Sequence, residues 1–113
     1  MYVIDYLHDI DGNRKLSVGK AHNIDRNLEI LDLLEIDQDK IVFTGQIADV
    51  DELRVVVYTR EGYVDKIAEI VKRSDRSIFD MEEEIKKLCP AKYKRLQNVF
   101  DEWIVIEFIC YEK

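Results

Sequence analysis

The sequence predicts a single α+β domain over residues 1–113: a largely antiparallel sheet of about five strands, with three to four helices packed on one face. Three observations carry this reading. Alternating apolar and polar residues flank a tight-turn signal near the N-terminus, and a second pair of strand-like runs follows at 40–59. Apolar residues then recur at helical spacing from 61 to 103. A dense β-branched and aromatic run closes the chain at 103–111. The order reads β-β-α-β-β-α-α-α-β, two hairpins plus a C-terminal strand.

The elements follow in turn. YVIDYLH, residues 2–8, sets Tyr2, Ile4 and Tyr6 against Val3, Asp5 and Leu7, and RKLSVGK, residues 14–20, puts Leu16 and Val18 on one face. DIDGN lies between them, with Gly12 to take up a positive φ, so the pair reads as a hairpin. The same segment is tested as a calcium loop. Setting Gly12 at the sixth position of such a loop puts Leu7 first and Val18 last, and neither side chain can ligate. Asn23 or Asp25 is expected to cap a helix starting near residue 25, with Ile24, Leu28, Leu31 and Leu34 as its stripe and Ile30 and Leu33 widening it. KIVFTGQI, residues 40–47, and LRVVVYT, residues 53–59, read as strands joined by the acidic ADVDE.

Residues 61–73 switch to helical spacing, with Val64, Ile67, Ala68 and Val71 on the apolar side. Ser77 and Asp80 fit a capping box in its aspartate variant, opening a helix through Leu88 with Ile78, Met81, Ile85 and Leu88 inward. Pro90 stops that helix or begins another, in which Tyr93, Leu96, Phe100 and Trp103 continue the helical spacing. WIVIEFICY, residues 103–111, is interrupted only by Glu107 and reads as an interior strand.

Composition bounds the function. Apolar residues make up 47% of the chain and charged residues 36%, with one proline and four glycines, which favours regular structure and short loops. No apolar run approaches the roughly 20 residues that span a bilayer. The opening MYVIDYLHD carries acids early and lacks the basic region of a signal peptide. Cys89 and Cys110 read as reduced core thiols, and the chain as a complete small cytoplasmic protein with no membrane partner. The net charge is −7, and residues 25–60 hold nine acids against four bases. Such a balance repels nucleic acid and attracts basic protein surfaces.

Motifs for catalysis are missing: there is no GxSxG, GxGxxG or GxxxxGK, and the cysteines have no CxxC spacing. His8 and His22, even with Asp9, fall short of a zinc ligand set. No metal, cofactor or enzymatic activity is therefore expected. The run Glu82-Glu83-Glu84 reads as a solvated helix face.

Two charged surfaces remain. Asp37, Asp39, Asp49, Asp51 and Glu52 flank the third strand and are expected to meet a protein partner with a basic surface, with Tyr58 or Tyr63 as an aromatic anchor. That is the behaviour of a small inhibitor of the immunity-protein or phage anti-defence type. The alternative is a nucleic-acid regulator, working as a dimer, that uses Lys86, Lys87, Lys92, Tyr93, Lys94 and Arg95. It ranks lower because the chain is acidic overall, and because Lys86 and Lys87 suit the end of a helix that acids open. A small-ligand pocket between sheet and helices is the third reading.

Overall fold

A computed structural model describes residues 1–73 and 77–113. Six strands form one antiparallel sheet: β1 (Tyr2–His8), β2 (Arg14–Lys20), β3 (Ile41–Val50), β4 (Glu52–Thr59), β5 (Lys92–Phe100) and β6 (Trp103–Tyr111). Their spatial order is β2-β1-β4-β3-β6-β5, so three hairpins lie side by side. Helix α1 (Glu29–Leu34) lies in the connection from β2 to β3. Helices α2 (Val64–Lys72) and α3 (Ile78–Lys87) lie in the connection from β4 to β5. Because every strand pair is antiparallel, all three hairpin turns leave one end of the sheet and both long connections leave the other.

The alternation read from the sequence becomes two faces. On the helix side, Ile4, Val57, Gly45 and Phe108 form one cross-strand row, and Tyr6, Val55, Ile47 and Ile106 another. These rows pack beneath Ile67, Val71, Met81 and Ile85 of α2 and α3. Gly45 is required there: a Cβ would lie 2.3 Å from the Val56 carbonyl oxygen and 3.1 Å from the Phe108 ring. The Ser77 hydroxyl caps α3 by accepting from the Asp80 amide at 3.2 Å, as its sequence spacing predicts.

Four expectations are corrected. The helices do not share one face: α1 and its flanks pack on the opposite side, where Ile24, Leu28, Ile30, Ile41 and Ile109 form a separate cluster. Residues 93–103 are not a helix but β5 and the start of β6. Tyr93 packs into the helix-side core and Leu96 into the opposite cluster, so a strand that must satisfy two faces imitates helical spacing. The sheet therefore has six strands. Cys89 and Cys110 are not free thiols; they form a disulfide that ties the end of α3 to β6. Fold brings them together across 21 positions of sequence, which the spacing alone did not reveal.

The fourth correction concerns α1. It starts at Glu29, not near residue 25, and its N-cap position, Leu28, has no side-chain cap. Asp25 instead accepts from the Asn27 amide in a local turn. The helix start is held from below by Glu107 of β6, whose carboxylate accepts from the Ile30 amide at 3.0 Å and from Gln46 Nε2 at 3.2 Å. Burial pushes the Glu107 carboxyl above its ordinary range, against the opposing pull of the Ile30 hydrogen bond.

Candidate functional site

The register brings the three hairpin turns to one level. Arg14, His8, Leu53, Asp49, Ile104 and Val99 form a single row across all six strands. Beyond that row lie the turns 9–13, the tip around Asp51, and Asp101-Glu102 with its flanking pair Phe100 and Trp103. With strands about 4.8 Å apart, adjacent turns sit roughly 10 Å from one another. Each turn is acidic, and Asp11, Asp49, Asp51, Glu52, Asp101 and Glu102 are all exposed.

Local chemistry explains why acids occupy these positions. Asp9 organises the first turn: its carboxylate accepts from the Asp11 and Asn13 amides at 3.0 and 2.9 Å. Those bonds hold its carboxyl below the usual range. The DIDGN segment is thus the turn its sequence predicts, with Gly12 at φ 87°. Asp51 and Asp101 occupy the left-handed region at φ 63° and 54°, a conformation that aspartate tolerates better than most residues.

The same end exposes apolar side chains. Val99 is 59% exposed, Phe100 57% and Trp103 47%. Phe100 and Trp103 are cross-strand partners that flank Asp101-Glu102. Sequence reasoning missed them as surface residues because it assigned Phe100 and Trp103 to the buried stripe of a helix. The signal that could have found them is Asp-Glu between two strand-forming runs, which is a hairpin-turn pattern.

The expected acidic patch divides. Asp49, Asp51 and Glu52 belong to the hairpin end. Asp37 and Asp39 precede β3 and lie at the opposite end of a ten-residue strand, about 30 Å away. There Arg60 donates to the Ile41 and Asp39 backbone carbonyls and pairs with Glu112 at 3.1 Å, while Asp37 and Asp39 are exposed. Neither tyrosine reaches the acidic turns. Tyr58 is half-buried against the α1 cluster, and Tyr63 packs on Phe43 with ring centroids 6.1 Å apart.

The basic stretch divides as well. Tyr93 and Arg95 both bind buried Glu82, the hydroxyl at 2.8 Å and the guanidinium at 2.7 Å. Burial and the Glu82 hydrogen bond hold the Tyr93 phenol well above its ordinary range. Lys86 sits over the Tyr93 ring at 5.7 Å. Lys86 and Lys87 end α3, whereas Lys92 and Lys94 lie on β5.

Part of the second sheet face is open. A trough of about 520 Å³ is lined there by Asp5, Leu7, Lys15, Ala48, Val50 and Arg54 among others. An Arg54–Asp5 ion pair of 3.2 Å crosses its floor. No group of three or more potential metal-ligating side chains gathers among the described residues, and no helix among them is long and apolar enough to cross a membrane.

Comparison of the chain with protein-family models, with curated proteins and with solved structures finds no match. The functional reading therefore rests on the chain's own geometry.

Proposed function

We propose that this protein is a small acidic binding module that occludes a basic surface on a target protein, in the manner of an inhibitor. The observation that carries the reading is the exposed Phe100–Trp103 pair set among the acidic turns. Interface hot spots are typically aromatic residues that fill a pocket, surrounded by a polar rim. The exposed carboxylates supply such a rim, with a sign that speeds encounter with a basic partner. Both long connections leave from the other end, so none begins or ends among the turns. The aromatic anchors are thus Phe100 and Trp103 rather than Tyr58 and Tyr63, and Asp101 and Glu102 join Asp49, Asp51 and Glu52.

The test is capture of a partner from lysate on immobilised protein, followed by affinity measurements on that partner. Trp103→Ala should weaken binding by about 2 kcal/mol, roughly thirtyfold. Asp101→Lys combined with Glu102→Lys should slow association and flatten its dependence on salt. Lys20→Ala, at the far end of the sheet, should change neither. A partner that binds the first two variants as tightly as the parent would remove the hairpin end from the interaction.

A further inference from the structure

The sheet has two edges, β2 and β5, and hydrogen bonds at both ends of β2 fix which of its backbone groups face outward. The Ala21 amide donates to the Met1 carbonyl, and the Asp9 amide to the Asn13 carbonyl, both at 2.9 Å. These two bonds bracket the β1–β2 ladder at opposite ends. Bonded and non-bonded pairs alternate in an antiparallel ladder. Val3–Gly19, Asp5–Ser17 and Leu7–Lys15 are therefore the bonded pairs. The amides and carbonyls of Leu16, Val18 and Lys20 consequently point away from β1, along the outer edge of the sheet.

We infer that this edge is a strand-addition site for an extended segment of a second, acidic protein. Leu16 and Val18 lie on the helix side of β2, where Leu16 packs on the main core and Val18 is 47% exposed. An added strand would cover Val18 while its backbone pairs with the outward groups. On the same face the row ends in Arg14 and Lys20, Lys15 projects from the other face, and no acid occurs between residues 14 and 20 of a chain whose net charge is −7.

The charge selects the occupant. A second copy pairing β2 antiparallel with β2 about Ser17 would set Arg14 opposite Lys20. Pairing β2 with β5 of another copy would join two strands that each carry three bases and no acid. Edge lysines of this kind suppress self-association. The complement is an extended peptide with two apolar residues at alternate positions and an acid at each end. This site is separate from the hairpin end and would take a partner of opposite charge.

The probe is a blocked heptapeptide of sequence ETVTVTE, titrated into isotope-labelled protein and followed by backbone amide shifts and hydrogen exchange. Addition to β2 should shift the Leu16, Val18 and Lys20 amides and slow their exchange by about tenfold or more. The basic peptide KTVTVTK should bind more weakly. Val18→Pro deletes an outward amide and no ladder bond, so it should keep the fold and lose the peptide. Lys20→Glu should remove the preference for ETVTVTE over KTVTVTK, and serves if the proline variant does not fold. Unchanged exchange at Leu16, Val18 and Lys20 with millimolar ETVTVTE would overturn the inference. So would equal binding of both peptides.

Discussion

The two faces of this sheet are closed by different means. On the helix side, the two middle rows are apolar, and α2 and α3 bring complementary stripes of their own. Each part of that arrangement is local: alternation in the strands, helical spacing in the helices, and a serine cap at the start of α3. On the other side the same strands present Asp5, Arg54, Gln46 and Glu107 beside their apolar residues. The covering helix has only six residues, too short to be stable by itself, and lacks a local cap. It is held to the sheet by a carboxylate 77 positions away. That face carries its own apolar cluster around Ile30, Ile41 and Ile109, and beside the cluster the trough stays open.

The largest effect should come from opening the closed face. Phe108 is fully buried, meets Phe43 edge-on at 6.1 Å and stacks on Tyr93 at 6.3 Å. Phe108→Ala should cost about 3–5 kcal/mol, read as a lower urea midpoint with an unchanged slope. Next comes the link that fastens α3 to that face. Cys89–Cys110 closes a segment of 21 positions, and its loss should cost about 3 kcal/mol by loop-closure entropy. Urea unfolding with and without reductant, alongside Cys89→Ala with Cys110→Ala, measures it. A double variant as stable as the parent would mean that apolar packing alone holds α3 in place.

This contrast also marks what was legible in the sequence. Patterns confined to a few residues were: both early hairpins, α2, the cap of α3, and the interior position of β6. Features that depend on two faces or distant partners were not. Tyr93 and Leu96 serve opposite sides of β5, and their spacing matched a helix. Glu107 stood out as the one charge in an apolar run, yet nothing local identified Ile30 and Gln46 as its partners. The first two acidic turns were visible one by one, Asp101-Glu102 was hidden in an apparent helix, and only strand register sets Asp51 and Asp101 on the same level. Asp37 looked close to Asp49 along the chain and lies at the other end of β3.

A smaller effect should come from the open face. Glu107→Gln keeps the shape but leaves a single oxygen for two donors, and should cost about 1 kcal/mol. Its pH dependence is more telling. The folded-state pKa is raised above the unfolded value, so the native state holds this proton more tightly. The group's contribution to stability is therefore full at low pH and is lost as pH rises through the raised pKa. Urea midpoints of the parent should fall relative to Glu107→Gln as pH climbs out of the ordinary carboxylate range. Parallel profiles would show that burial does not raise the Glu107 pKa in the folded state.

The smallest stability effect is expected at the hairpin end. Phe100 and Trp103 are about half exposed. Phe100 lies on an edge strand, and both follow the last row shared by all six strands. Truncating Trp103 to alanine should shift stability by no more than about 0.5 kcal/mol, the range of ordinary surface changes. The same substitution is expected to weaken partner binding about thirtyfold. Large apolar side chains that contribute little to folding need another reason to be at the surface, and separating the two measurements tests that reason. A stability loss comparable to that of Phe108→Ala would place Trp103 in the core of the fold, and its exposure would then say nothing about a partner.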